Sequence, residues 1–525
     1  MKNIMPFLII FLFFNAFLPS KRAFNIMDYG AVADGITINT QSIQKTIDAC
    51  TNQGGGQVTV PKGTFLTGSI YLKTDVELHI TEGGVLLGST KHRDYKNENP
   101  YGWYALIMAN AQSHIAITGK GIIDGQGRAL AQDVIQLWRA GAFPGAQVWD
   151  EKLREKNRPN ERFRPQLILF QECQNIKIKN ITLKNAASWV QTYGNCRDLI
   201  IEKIRVESTA YWNNDGIDIV DSKNVVIRDC FINAADDAIC LKSFDTKSGC
   251  ENILIERCTM RSSASALKLG TSSYGGFRKI KARHLTIYDT YRSAIALECV
   301  DGGVMEDIEI SHVQAKNTGN AIFIKLGHRI PSRPIGRVEN IRISHVEAEI
   351  PNTKPDKGYE LEGPVDTISY NLLPSSIVGL TNYPIKNIHL NDIHITYGGG
   401  GTRDTAYASL DSLHNIREQA REYPEFSMFG ELPAWAFYMR HTEGVVVKNV
   451  TVRLKEKDYR PAFVLDDVKK LTLHNIKITE GGSVPSIILK DVKEPILKKL
   501  EYKKNKSNKN KDLKIVTSFI TSDSI

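Results

Sequence analysis

The chain lacks an apolar run long enough to cross a bilayer. Its longest, Ile4 to Leu18, is fifteen residues broken by Pro6 and Asn15, and a membrane span needs about 20. No CxxC pair and no His cluster mark a metal site, so neither a metal nor another cofactor is expected. The consensus of leucine-rich repeats and their intervening helices is missing too. Charge of one sign is concentrated at the ends. The formal net charge is +9 over 525 residues, but Lys2, Lys21 and Arg22 stand at one end, and Lys498 to Lys514 carries eight Lys against Glu501 and Asp512 at the other. The body between them is close to neutral, and no nucleic-acid partner is expected. What remains is a globular balance, 42% hydrophobic and 24% charged, which excludes a wholly disordered or fibrous chain.

Residues 1–23 read as a secretory signal: Lys2 supplies a positive start, the apolar run follows, and Ala23 ends a small-residue cleavage site. No Cys follows the run, so a lipid anchor is not expected. Export, periplasmic or secreted, and a monomeric state are the expectations. Residues 498–525 read as a solvated basic tail.

The rest repeats itself. A phrase of polar, aliphatic, polar, aliphatic, two polar and an aliphatic or Cys begins at Asn175, Asp198, Asn224, Asn252, Lys279, Asp307, Asn340 and Asn387. The first six intervals run from 23 to 33 residues; the last is 47. Alternation within each phrase means a strand with one buried face. Short strands repeating at this period describe an all-β parallel solenoid in a single long domain. About ten coils would make a rod of roughly 50 Å.

A solenoid must cover its ends. Residues 24–90 are expected to form an N-terminal cap and first coils, with a helix from Thr40 to about Cys50 capped by Thr40 and burying Ile43 and Ile47. Residues 91–497 form the main body. It carries two long insertions, 128–165 with Trp138 and Trp149, and 398–437 with a helical stretch from Ala408 to Tyr423; long loops of this kind often serve function. Cys173, Cys196 and Cys250 share one repeat position, and Cys230 and Cys258 another. Neighbours on parallel strands point the same way, so stacked thiols are expected rather than bridges.

Aligning the strand before each phrase exposes carboxylates. Asp215-Gly216-Ile217-Asp218-Ile219 aligns with Asp237-Ala238-Ile239-Cys240-Leu241, then with the strands at Ser265, Ser293 and Asn320. Asp215 and Asp237 therefore stack on adjacent coils, with Asp236 one residue before Asp237 and no basic residue within the aligned stretches Asp215–Ile219 and Asp237–Leu241. Three converging acids raise at least one pKa, as glycoside hydrolysis requires of its acid and base. An Asp-rich turn stack that only caps backbone amides would give the same pattern.

These residues resemble a known family. Tyr211-Trp212-Asn213-Asn214-Asp215-Gly216-Ile217-Asp218 is similar to the Asn-Thr-Asp motif of glycoside hydrolase family 28, the polygalacturonase family, and Ala234-Ala235-Asp236-Asp237-Ala238-Ile239 to its Asp-Asp motif. The resemblance extends through Asp28-Tyr29-Gly30-Ala31, Gly121 to Gly127, Arg164-Pro165, Pro374 to Leu380 and Met428 to Ala434. It implies a right-handed, single-stranded parallel β-helix that hydrolyses α-glycosidic bonds of pectic or related acidic polysaccharides with inversion. Asp236 would be the general acid, Asp215 and Asp237 would hold and activate the water, and Asn213 would contact substrate.

The chain also departs from that pattern. The family's Gly-His-Gly falls on Ser263-Ala264-Ser265 and its Arg-Ile-Lys on Ala296-Leu297-Glu298. The cations that would hold a galacturonate carboxylate are thus absent, and Glu298 would repel one. An unbranched galacturonan is therefore expected to be a poor substrate beside a neutral or mixed pectic linkage. Lys268, one coil before Ala296, or Lys325, one coil after Glu298, would restore a cation, or Lys325 would neutralise Glu298. Trp212 and Tyr274 are candidate sugar platforms, and His328 reads as a loop residue. Two other classes stay open. One is a lyase on the same scaffold, with Ca²⁺ on the three Asp and Lys268 as base; the other is a carbohydrate-binding β-helix without activity.

Overall fold

The computed structural model describes residues 22–99, 102–143, 159–355, 373–402, 410–479, 486–502 and 513–516. The expected secretory signal, apart from Arg22 and Ala23, and most of the basic tail lie outside them, as does Trp149. Among the described residues no helix is long and apolar enough to cross a membrane.

Three short strands make one turn of the chain. Gln191–Gly194, Arg197–Glu202 and Arg205–Ser208 form one turn, and Ile217–Val220, Lys223–Arg228 and Phe231–Ala234 the next. Each strand pairs in parallel with its counterpart one turn away, as Leu199 with Val225, Val206 with Ile232 and Ile219 with Leu241. The result is a right-handed parallel β-helix, the hand that right-twisted strands impose on a crossover.

The coil count is larger than the repeats suggested. Along one sheet, among the described residues, thirteen successive pairings link Ile70–Tyr71 to Leu513–Val516 and so define fourteen rungs, not ten. The extra rungs lie before Asn175 and after Asn387, where the recurring phrase is not repeated closely enough to count.

The phrase is legible because both of its halves have a physical cause. Its aliphatics point inward: Leu199 and Ile201, Val225 and Ile227, Ile253 and Ile255, and Ile280 and Ala282 are all buried in one core that runs along the axis. Fully burying one such aliphatic is worth about 1.5–3 kcal/mol. Its leading polar residue turns the corner. Asn175, Asp198, Asn224, Asn252, Lys279, Asp307, Asn340 and Asn387 all have φ between +54° and +58°, the left-handed region where Asn and Asp are least penalised. Several also bond along the stack: Asn252 Nδ2 donates to Asn224 Oδ1 at 2.8 Å, and Asn387 Nδ2 to Asn340 Oδ1 at 3.0 Å.

The N-terminal helix runs Thr40–Asn52 and buries Ile43, Ile47 and Cys50. Asn39, not Thr40, is the residue before it. The Asn39 side chain is tied to Val32 and Thr37, and Thr40 Oγ1 receives the Gly68 N–H at 2.7 Å. The first insertion opens with a helix, Gly127–Arg139, seated on Leu130, Ala131, Val134 and Trp138. In the second, the helix expected from Ala408 to Tyr423 is reduced, among the described residues, to a short 3-10 turn, Leu410–Asn415. Carbonyls that a longer helix would use are taken by the body: Ile416 O accepts from Arg440 Nη1 at 2.7 Å and Ala420 O from the His328 N–H at 2.6 Å. All eight cysteines are buried and unbridged. Cys173 and Cys196 adjoin in one column and Cys230 and Cys258 in another, while Ser222 separates Cys196 from Cys250.

Candidate active site

The sheet that carries the fourteen rungs turns alternate residues outward, and the acids gather at its middle. Ile217 pairs with Ile239, and the Gly216 N–H donates to Asp237 O at 2.9 Å, which places Asp215 beside Asp237 on adjacent rungs. Gly216 is required here: a Cβ would stand 2.5 Å from Ala238 O and from Ile232 Cγ2. Carboxylate oxygens of Asp215 and Asp237 and the Cys240 sulfur all lie within 4.8 Å of one another. Asp236, one residue before Asp237, is the more open acid; Asp215 and Asp237 are buried.

Two cations stand among the acids. Lys242 projects from the strand Ile239–Ser243 and binds Asp215 Oδ2 at 2.7 Å and, more closely still, Asp218. Its ammonium also lies 4.1 Å from the ring centre of Trp189. Lys268, on Leu267–Ser273, binds Asp237 Oδ2 at 3.0 Å and lies 3.8 Å from Glu298. Lys268 was legible as a candidate cation from its column; Lys242 was not, because it lies downstream of Asp215 and Asp218 and reaches back along the stack.

This pairing separates the three acids. Burial acts on all of them, but Lys268, Lys242 and Arg292 outweigh it at Asp237 and hold its carboxyl below the ordinary range. Asp236 is pushed up by burial and by the neighbouring Asp237; among the described residues no cation stands within ion-pair distance of it. Asp215 is also driven up, by burial against the opposing pull of Lys242, and Asp218 is raised to about 6 for the same reasons. One cation between two carboxyls leaves that cluster short of positive charge.

Asp236 is also held from behind. Asn213, at φ +58°, donates from Nδ2 to Asp236 Oδ2 at 3.4 Å. Its Oδ1 accepts from Arg164 Nη2 at 2.7 Å, and the fully buried Arg164 is itself fixed by the carbonyls of Pro159, Ala187 and Trp212. Where the family's His is missing, the Ser265 N–H donates to Asp237 Oδ1 at 3.0 Å.

The structure brings Asp215, Asp236, Asp237, Asn213 and Lys268 together, whereas Glu298 and Lys325 turn away from the places register suggested. Glu298 is only 2% exposed and turns to Lys268 and Thr271, with its carboxyl pushed up to about 7 by burial, so it is directed into the protein and not at the cleft. Lys268 is 3% exposed and fully engaged, its third contact being the Tyr423 hydroxyl at 3.0 Å. Lys325 pairs with Glu298 in register but not by charge. Its amine lies buried 5.6 Å from the centre of the Phe429 ring and is lowered to about 7 by desolvation. Trp212 is half-buried and bonds Arg164 through its carbonyl. Tyr274 is covered by Arg333, 4.8 Å above its ring. His328 sits in the loop after its strand, its Nε2 2.8 Å from Arg333 O.

Sequence reasoning missed Asp218, Lys242, Arg292, Tyr423 and Glu425. Asp218 and Lys242 had a signal, an acid and a base on outward positions of adjacent strands. Tyr423 and Glu425 come from the second insertion, and nothing local ties them to the acids.

Fold and site together define a parallel β-helical protein with buried, cation-paired carboxylates beside one acid that has no cation in contact. Residues 50–325 match the family model for glycosyl hydrolases family 28, and the chain belongs to that family. It is 28% identical to an exo-poly-alpha-D-galacturonosidase of Dickeya chrysanthemi, over 42% of this chain and 41% of that protein. It is 26% identical to an endo-polygalacturonase of Pectobacterium carotovorum subsp. carotovorum, over 54% of this chain and 71% of the other. The crystal structure of a hyperthermoactive exopolygalacturonase from Thermotoga maritima superimposes with a TM-score of 0.56 at 25% identity, covering 72% of this chain and 87% of that one.

Proposed function

We propose that this protein is an exported glycosidase that hydrolyses an α-glycosidic bond in a pectic polysaccharide with inversion of configuration. Asp236 protonates the leaving oxygen. Asp237 takes a proton from the attacking water, and Asp215 holds that water in place. The observation that carries this reading is the unequal pairing of the acids. Asp237 is clamped by Lys268 and stays ionised, whereas Asp236, open to the cleft and without a cation in contact, keeps its proton. Two carboxyls pushed apart in pKa are what acid–base cleavage of a glycoside needs. Asn213, anchored by Arg164, holds the acid in position from the side away from Asp237.

The test follows products. Incubation with pectic polymers and oligosaccharides should release new reducing ends, and proton NMR of the first-formed anomer should show inversion. Asp236→Asn should lower turnover about 10²- to 10⁴-fold, the typical contribution of a general acid, with the fold intact by circular dichroism. Ultraviolet-absorbing unsaturated ends would make the protein a lyase, and full turnover in Asp236→Asn would remove the acid assignment.

A further inference from the structure

The cations near the acids differ in whether substrate can reach them. Lys242 is enclosed by Asp215, Asp218 and Trp189. Lys268 is consumed by Asp237, Glu298 and Tyr423, and Lys325 is sealed near Phe429. Arg292 is the exception. It lies just before Ser293 at the corner of the next coil, with its N–H fixed on Ala264 O at 2.8 Å. Its side chain stays 22% exposed. Its one ion pair is from Nε to Glu425 Oε2 at 3.2 Å, and its two η nitrogens bond nothing among the described residues.

The groups around it match a sugar acid. Two η nitrogens form the planar fork that grips a carboxylate. Glu425, steadied by the Ser427 hydroxyl on Oε1 at 3.1 Å, offers an acceptor for sugar hydroxyls. Tyr423, half exposed and tied to Lys268 through its hydroxyl, offers a ring face two residues away.

We infer that Arg292, Glu425 and Tyr423 form the subsite that receives the carboxylate-bearing sugar beside the scissile bond. This rests on the glycosidase reading above. It also reverses the expectation drawn from Glu298: a uronate next to the cleaved bond is favoured, because Glu298 is buried against Lys268 while Arg292 keeps part of its side chain exposed.

Binding tests it without turnover. In an Asp236→Asn background, isothermal titration compares a galacturonate disaccharide with its methyl ester. The acid should bind at least about tenfold tighter, the scale of one hydrogen-bonded charge contact. Arg292→Gln should bring that ratio close to one, and Arg292→Lys, a point charge without the fork, should leave it intermediate. Glu425→Gln removes the competing counter-charge and should raise the ratio, a gain that misfolding does not produce. A ratio unaffected by Arg292→Gln, equal weakening of both ligands, or binding of neither by the parent protein would overturn the assignment. Failure to release reducing ends would instead overturn the hydrolytic reading, and leaves the binding ratio measurable.

Discussion

At the scale of single residues, the site works by giving similar carboxyls different neighbours. Asp236 and Asp237 are adjacent in the chain and bonded to each other, the Asp237 N–H donating to Asp236 Oδ1 at 2.9 Å. Lys268 contacts only the second. The proposed mechanism needs Asp237 ionised and Asp236 protonated, so on that reading the rate should rise at a pH below the usual carboxylate range and fall at one above it. Lys268→Met removes the largest influence that lowers Asp237. Its carboxyl then titrates higher, and the acid limb of kcat/KM should move to higher pH while the alkaline limb moves less. A profile unchanged in its acid limb would show that Asp237 is not the group being read. Asp215 and Asp237 were legible as a pair because strand register alone sets them together. The difference between Asp236 and Asp237 was not, since it depends on Lys268, 31 residues after Asp237, reaching back across one rung.

At the scale of elements, four adjacent rungs act as a unit. Lys242 and Lys268 rise from neighbouring strands to stabilise carboxyls on the rung before each, so charge is balanced between coils and not within them. Breaking one side of a buried pair leaves an uncompensated charge and costs about 3–5 kcal/mol. Lys242→Met should therefore lower the thermal midpoint, and the loss should depend on pH. Asp218 already titrates near 6 in the folded protein, above its unfolded value, so its burial weakens the fold as pH rises through that window. Without Lys242 its pKa rises further. The gap in midpoint between Lys242→Met and the parent should be widest near pH 8, shrink through pH 4 and narrow further towards pH 3, where the carboxyls are largely protonated in both states. A gap independent of pH would mean that Lys242 acts by packing on Trp189 instead. The second insertion is the other element that matters. Its segment from Ile416 onward is held on the body by Arg440 and His328, which delivers Tyr423 and Glu425 to the cleft.

At the scale of the whole molecule, the balance of charge bears on metal. Asp215, Asp237 and Cys240 are close enough to share an ion. Lys242 and Lys268, however, already bring their ammonium groups to Asp215 and Asp237, the place a cation would occupy. Activity should consequently survive dialysis against EDTA, measured as reducing ends released. Loss on chelation with rescue by Ca²⁺ would move the protein to the lyase class. The rod itself gives the site its rigidity, because each acid lies at or beside the end of a strand paired on both sides.

The sequence by itself determined the solenoid, its period, its inward aliphatics and the column that joins Asp215 to Asp237. These follow from a period-two strand and a left-handed corner, both local properties that repeat in the chain. It left the number of rungs short, because the end coils keep the inward pattern without the full phrase. It misplaced Glu298 and Lys325, since register states which residues are neighbours but not which way a long side chain turns once burial and rival charges compete. Arg292, Tyr423 and Glu425 were decided by tertiary structure alone. More than 120 residues separate Arg292 from the other two, and only the docking of a long loop on the coils brings the cation, its acceptor and the aromatic ring to one side of the acids.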